Sequence, residues 1–438
     1  MRLAPFTGLF GSNSSGKTSI LQFLLMLKQT VESPDRKQVL NFGDERTLVG
    51  LGSFQEIVHG HDVSEPMAWF FSWELPKTIE VSDPEQKRVP VFSGDRMGFE
   101  AQVGQNQAGR RRVIQMAYHF DRREFGMKQK PKEPSKYDLY AKPSDFNFKR
   151  FQGRAWALPE PSKCYGFPDQ VRGYFQNAQF LADFQLAFEN LFSRVYYLGP
   201  LREYPKRQYT WAGEEPADMG ARGEKVIEAL LASRVRGKKI SRGKGRRRLS
   251  VEEYVAYWLR ELGLIDSFRV ERIAKDSNLY QVWVKKSPSG AEVLITDVGF
   301  GVSQILPVLA ICYYVPEGST ILLEQPEIHL HPSVQAGLAD VFIDAIDNRN
   351  IQIMLESHSE HLLRRVQRRI AEGDSGIGSD DVALYFCKMA GSRSNLVPLQ
   401  VDLCGNIANW PKDFFGDEFG EMAAMAQAQV EKQKAQQK

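Results

Sequence analysis

The sequence has no paired cysteine motif: Cys164, Cys312, Cys387 and Cys404 are widely scattered, and none forms a Cys-x-x-Cys. That spacing gives neither a disulfide framework nor a zinc knuckle, so reduced thiols in a cytosolic protein are expected. Long apolar runs are also missing, since stretches such as 20–27 and 305–315 are too short or too interrupted to cross a bilayer. No spanning helix and no membrane partner are therefore expected. Apolar heptads are not sustained anywhere, which argues against a long coiled coil. Nor does one charge sign dominate: 57 Lys and Arg face 54 Asp and Glu, a formal charge of +3. So small a balance does not by itself point to nucleic acid or a membrane surface. The opening residues, Met1 to Gly8, run directly into a motif and leave no room for a secretion signal. A cytoplasmic location is expected. At 438 residues the chain exceeds one ordinary core, so a large domain with an insertion, or two domains, is expected.

What is present is an α/β pattern interrupted by a long insertion. Residues 3–10 read as a strand, and 18–31 as a helix apolar on nearly every side (Ile20, Leu21, Phe23, Leu24, Leu25, Leu27), which such a helix buries. From 33 to 150, short strands punctuated by Gly, Pro and Asp turns predict a β-rich insertion. Apolar spacing predicts a helix over 175–192, a buried strand over 195–198, and helices over 224–234 and 251–262. Between the last two lies a run from Arg234 to Arg248 holding nine Lys and Arg among glycines and serine. It should be a mobile basic loop. Strands then alternate with helices: strands 280–285, 293–295, 320–324 and 351–356, helices 303–314, 333–346 and 360–369. That alternation argues for a mainly parallel sheet. The tail from Glu421 is helix-permissive and weakly amphipathic, and its end should fray.

Gly11-Ser12-Asn13-Ser14-Ser15-Gly16-Lys17-Thr18 fits G-x-x-x-x-G-K-[ST], between a strand and a helix. Glycines let the backbone curl so that consecutive N–H groups, on through Ser19, face phosphate oxygens at the positive end of the helix. Lys17 is expected at the β and γ phosphates, and Thr18 on Mg²⁺. Alone, this loop identifies only a nucleoside triphosphate.

Three later segments narrow the class. Asp297-Val298-Gly299-Phe300-Gly301-Val302-Ser303-Gln304 leads into a helix and resembles the signature motif of ABC-type ATPases. Thr320-Ile321-Leu322-Leu323-Glu324, continued by Gln325-Pro326-Glu327-Ile328-His329-Leu330-His331-Pro332, is an apolar strand ending in a carboxylate. It looks like the Walker B and D-loop region of the overcoming-lysogenisation-defect, RecF and SMC-like ATPases. The strand 351–356 ends in Ser357-His358-Ser359 and resembles the switch histidine segment that senses the γ-phosphate. Ligands of open α/β sheets bind at such carboxyl ends. More narrowly, the phosphate loop, 51–54, 197–202, the Glu-Gln-Pro-Glu segment and 409–415 resemble a bacterial group of standalone AAA-type ATPases with an uncharacterised C-terminal segment.

The resemblance implies an α/β P-loop NTPase of ABC-type head, with a mixed central sheet and a large α+β insertion between Walker A and the signature motif. Its expected parts are an N-terminal head lobe (1–60), a β-rich and helical insertion (61–200), and a helical segment with the basic loop (201–278). A C-terminal head lobe (279–400) and a C-terminal extension (401–438) follow. It implies ATP and Mg²⁺ as ligands, with Lys17, Glu324, Gln325, His358 and Ser303 acting on the reaction and Thr18 and Glu324 on the metal. Gly301 and Ser303 would meet the γ-phosphate of a second copy, so an ATP-dependent homodimer or larger oligomer is implied. Gln55 is the candidate for the loop that links nucleotide, or its metal, to the insertion, with a plain surface glutamine as the alternative.

Two departures from the pattern matter. Only ten residues precede Gly11, fewer than the extra strand and turn usual in such proteins, so a missing first strand or a truncated start is expected. The usual Asp-Glu pair is here Glu324-Gln325, and glutamine orients a water without accepting its proton, so slow hydrolysis with ATP as a dimer clamp is expected, with Glu327 as the compensating base if the turn brings it to the γ-phosphate. The functional expectation is a switch that passes this change to an effector protein, plausible in anti-phage defence by analogy alone. A RecF-like DNA-binding ATPase and a non-hydrolysing scaffold are the alternatives. The run from Arg234 to Arg248, with Arg110-Arg111-Arg112, either neutralises nucleic-acid phosphates or is a solvated connector. Asp380-Asp381 precedes a strand, so a fused nuclease is not expected. His329, His331 and Glu327 are better explained by the family turn than by a metal site.

Overall fold

The computed structural model describes residues 1–83, 86–106, 108–143, 146–153, 156–237, 239–243, 245–374, 376–411, 414, 424–425 and 428–429. The chain opens with β1 (Phe6–Gly11), α1 (Lys17–Glu32) and the short α2 (Phe54–Ile57). A run of strands follows: β2 (Met67–Asp83), β3 (Gln86–Gln105), β4 (Arg111–Phe120), β5 (Arg123–Lys130) and β6 (Glu133–Lys142). Next come α3 (Gln170–Tyr174), α4 (Leu181–Ser193), β7 (Val195–Leu198), β8 (Tyr209–Thr210), α5 (Val226–Arg236) and α6 (Val251–Glu261). The last part holds β9 (Ser267–Arg272), β10 (Leu279–Lys285), β11 (Glu292–Leu294), α7 (Phe300–Tyr314), β12 (Thr320–Glu324) and α8 (Pro332–Arg349). It closes with β13 (Gln352–Glu356), α9 (Glu360–Glu372), β14 (Val382–Ala390) and β15 (Arg393–Leu399). Two compact units result, 1–21 with 195–438, and 22–194. The boundaries expected from the sequence lie at 60/61 and 200/201. The tail beyond 429 and most of the stretch after 411, with most of the expected tail helix, lie outside the described residues.

The first unit is built on a six-stranded sheet in the order β15-β14-β1-β13-β12-β7. Strands β14, β1, β13, β12 and β7 pair in parallel and β15 joins antiparallel at one edge, so the sheet is mixed, as expected for a P-loop NTPase head. Every residue of β1 is buried, as a central parallel strand covered on both faces requires. The core beside it joins α6, α7 and α8 through Leu259, Ile305, Leu309, Leu338 and Phe342. Within it Tyr254 and Tyr313 stack at 4.1 Å and both donate to Asp344 Oδ2, at 2.9 and 2.8 Å. Arg349 is buried and donates to the Cys312 and Val315 carbonyls, closing the end of α7 whose carbonyls have no helical partner. A second sheet, β11-β10-β8 with β9 on β10, belongs to the same unit.

The second unit is an antiparallel meander, β2-β3-β4-β5-β6. One face carries an aromatic core: Phe188 of α4 lies 4.7 Å from Phe99 and 4.5 Å from Tyr165, and Phe184 lies 4.9 Å from Phe120. Rings of this size bury large apolar areas and favour tilted or edge contacts. The insertion is thus β-rich with a packing helix.

Several local expectations shift. The helix expected over 175–192 starts only at Leu181. Asn177 instead accepts from the Lys149 N–H at 2.9 Å and donates to the Asn147 carbonyl at 2.9 Å, and such side-chain capture of backbone competes with helix. The basic run is not a free loop. Arg234 and Arg236 sit on α5, Ile240 bridges Leu249, Arg234 and Arg247 pair with Glu252 and Glu253, and Arg242 lies 3.8 Å over Tyr257. Arg236 pairs with Glu215. Lys238 and Lys244 lie outside the described residues. β15 is not among the elements expected from the sequence; it holds Pro398, which an edge strand tolerates because one side needs no donors.

Candidate nucleotide site

The phosphate loop forms where β1 ends between β13 and β14. Gly11 has φ +136°, and a Cβ there would run into the Cys387 carbonyl of β14, so only glycine lets the loop leave the sheet this close to its neighbour. The loop then turns through Ser14 at φ +59° and Gly16 at φ +89°. Ser12, Asn13 and Ser14 are exposed, Ser15 and Lys17 are buried, Gly16 and Thr18 half-buried, and Ser19 exposed on the first turn of α1. The Lys17 ammonium donates to the Gly11 carbonyl at 3.0 Å and the Ser12 carbonyl at 2.8 Å, drawing the loop around itself. Burial pulls its pKa down, and nearby Glu356 opposes that shift.

Three parallel strands deliver the acids. In register, Leu9 of β1 faces Glu356 of β13, and Glu356 faces Glu324 of β12, so both carboxylates stand at the sheet's carboxyl edge beside the loop. Thr18 Oγ1 donates to Glu356 Oε2 at 2.7 Å, and Lys17 Nζ lies 4.0 Å from Glu356 Oε1. Glu356 is thus the acid that touches the loop, and it is not among the site residues expected from the sequence. The available signal was a second strand-end carboxylate directly before the Ser-His-Ser segment. Glu324 instead accepts from the Tyr197 hydroxyl of β7 at 2.8 Å, and burial raises its pKa. Arg202, four residues beyond β7, is 7% exposed and donates to the Glu324 carbonyl at 3.4 Å. Burial pulls its guanidinium down to about 10.

Gln325 is half-buried at φ +44°, with its N–H on the Glu356 carbonyl at 2.8 Å. Glu327, two residues on, is buried, and its Oε1 accepts the His358 N–H at 2.7 Å. Burial raises the Glu327 pKa. That bond ties the turn after β12 to the segment after β13. The exposed His358 ring is held below the ordinary histidine value by partial desolvation and then by the Lys17 charge. Lys17, Thr18, Glu324, Gln325, Glu356 and His358 therefore belong to one strand-end cluster.

The other candidates fall elsewhere. Ser303 is 7% exposed and donates its hydroxyl to the Phe300 carbonyl at 2.8 Å, so it faces into its own helix turn. The exposed start of α7 is Gly299 and Phe300, with Gly301 half-buried. Phe300 meets Tyr204 at 5.6 Å and His329 at 5.2 Å. Gln55 is exposed on α2 and belongs to the second unit. His331 accepts from the Ser333 N–H at the start of α8, a capping role, and no cluster of three or more His, Cys, Asp or Glu able to hold a metal occurs among the described residues.

The residues present fit a magnesium triphosphate. The Ser15 hydroxyl is buried without a partner inside the loop, and Lys17 and the helix start supply positive charge. Thr18 with Glu356 and Glu324 offers hard oxygen donors of the kind Mg²⁺ takes when phosphates complete its shell. When bound, the ion neutralises phosphate charge. Lys17, the loop N–H groups and the two acids are the residues that would hold the anion and its metal.

Comparison with known families finds two matches. Residues 6–364 match the family described as "AAA domain, putative AbiEii toxin, Type IV TA system". Residues 377–425 match a protein of unknown function family, DUF3696. No curated protein matches. Among solved structures, the SMC head domain from Thermotoga maritima is 9% identical, covering 92% of this chain and 93% of that one, with a TM-score of 0.36. The Pyrococcus furiosus Smc head domain bound to the C-terminal domain of ScpA is 8% identical over 91% of each chain, with a TM-score of 0.39. The first family match runs from β1 into α9 and takes in every strand end of the cluster, so this chain belongs to that AAA-domain family of P-loop ATPases.

Proposed function

We propose that the chain binds MgATP and hydrolyses it slowly, with ATP serving chiefly to clamp two copies together in a conformational switch read by an effector protein. The observation that carries this reading is the occupant of the position after Glu324. Gln325 has its backbone held by the Glu356 carbonyl. Both flanking acids are engaged, Glu356 by Thr18 and Glu324 by Tyr197. A side chain that cannot take a proton thus stands where a base is usual, and a missing general base typically costs about 10²–10⁴ in rate.

Sealing by a second copy would draw on the exposed α7 start, with Gly301 near it and Ser303 supporting the turn from inside. The matched family's description refers to a type IV TA system, and a role in anti-phage defence is part of this reading. Direct nucleic-acid binding by the basic run is the less favoured reading, because Arg234, Arg236, Arg242 and Arg247 already have partners within the chain. Solution mass with and without MgATP tests the proposal. A shift to a dimer or larger species that persists for many minutes supports it, whereas an unchanged monomer with turnover of tens per second sinks it. Stimulation of turnover by duplex DNA would favour the nucleic-acid reading.

A further inference from the structure

The hairpin formed by β14 and β15 lies inside the stretch matched by the family of unknown function, and the nucleotide reading leaves it without a task. Yet it touches the phosphate loop directly. The Ser394 hydroxyl donates to the Ser15 carbonyl. A Cβ added to Gly16 would come 2.8 Å from Ser394 Oγ and 3.0 Å from Ser394 Cβ, so the hairpin lies flush against the loop there. The same stretch reaches the loop's other end. Phe414 packs on Phe10, the residue before Gly11, at 5.7 Å, and on Phe386 of β14 at 5.0 Å. Both flanks of the loop are thus braced by residues of this C-terminal stretch.

The Ser394 contact has a chemical consequence. A trans peptide is planar, so the Ser15 carbonyl and the Gly16 N–H point in opposite directions. Gripping that carbonyl from the hairpin side turns the Gly16 N–H toward the face of the loop away from the hairpin. At φ +89°, Gly16 sits in a region that glycine enters and leaves readily, so the Ser394 contact restrains a peptide that its own residue leaves free to turn. Backbone N–H groups are what such a loop offers to phosphates, so their orientation before binding enters the affinity.

We infer that Ser394 is a positioning residue for phosphate binding, and that the C-terminal stretch holds the Ser15–Gly16 peptide in its binding orientation for nucleoside di- and triphosphates. The inference rests on the nucleotide-binding reading above. It applies equally to both nucleotides because the loop cradles the phosphates they share.

The test uses the full chain, with titration calorimetry of MgADP and MgATP and steady-state turnover, on Ser394→Ala, Ser394→Thr and Lys17→Ala. Loss of one neutral hydrogen bond predicts that Ser394→Ala weakens both nucleotides about fivefold. Its turnover at saturating ATP should stay within about twofold of the parent, and Ser394→Thr, which keeps the hydroxyl, should bind like the parent. Ser394 is exposed, so the alanine variant should melt with the parent. Parent-like binding by Ser394→Ala, or a fall in saturated turnover with unchanged binding, overturns the inference. If the parent binds and Lys17→Ala does not while Ser394→Ala matches the parent, the inference alone falls. A parent chain that binds neither nucleotide removes the nucleotide reading, and the inference with it.

Discussion

Replacing Gln325 with glutamate restores a base without changing the shape of the turn. The two side chains are nearly isosteric, and the main chain at this position is already held by the bond from its N–H to the Glu356 carbonyl at 2.8 Å. A positioned general base contributes about 10²–10⁴ in rate, or roughly 3–5 kcal/mol of barrier. Against that stands a third carboxylate beside Glu324 and Glu356, whose pKa rises because like charges disfavour its ionised form. Each unit of such a rise costs about 1.4 kcal/mol. A rise of one to two units from the ordinary glutamate value of about 4.3 still leaves the carboxylate ionised at pH 7–8, so Gln325→Glu should raise single-turnover ATP cleavage at least about tenfold there. The gain should grow with pH through the raised carboxylate pKa, because only the ionised form accepts a proton. Radiolabelled ATP with enzyme in excess, followed by rapid quench from pH 6 to 9, reads this directly. A rise below about threefold across that range would refute the idea that the missing base limits hydrolysis.

Glu356→Gln should weaken MgATP binding by tenfold or more while leaving metal-free ADP binding within about threefold, checked by calorimetry with and without Mg²⁺. The reasoning is that Glu356 is the acid touching Thr18. Tyr197→Phe removes the hydroxyl that donates to buried Glu324. It should destabilise the chain by about 1.5–3 kcal/mol in denaturant titration, as for hydrogen bonds to charged groups. For Asp344, burial raises the native pKa above the ordinary 3.8, so between the two values the folded chain binds the proton more tightly than the unfolded chain. Stability contributed by that proton is complete below about pH 4 and is lost as pH rises through the native value. Asp344→Asn should therefore flatten the decline in stability from pH 4 to 7, and an unchanged slope would count against it.

The loop, its strand and its helix were legible because phosphate binding demands glycines, a lysine and a hydroxyl at fixed spacing on contiguous chain. Strand-end acids were half legible. Glu324 stands out at the end of an apolar run, while the standing of Glu356 depends on β13 lying between β1 and β12, which no local pattern encodes. Ser303 reads from sequence as a serine at a helix start; only the actual start of α7 at Phe300 shows that its hydroxyl turns back on the helix. The basic run looked free because its partners Glu215 and Tyr257 are brought to it by folding. Ser394 carried no signal at all, since its contact joins residues 379 positions apart.

The turn after β12 holds two non-glycine residues in left-handed conformation, Gln325 at φ +44° and His329 at φ +62°. Each such residue costs of order 1 kcal/mol or more, and both persist because neighbours over-determine them. One of those neighbours is the segment at the end of β13, through the Glu356 carbonyl and the His358 N–H. The strained turn is therefore held by the end of the adjacent strand, and loosening that end would free Gln325 and Glu327 together.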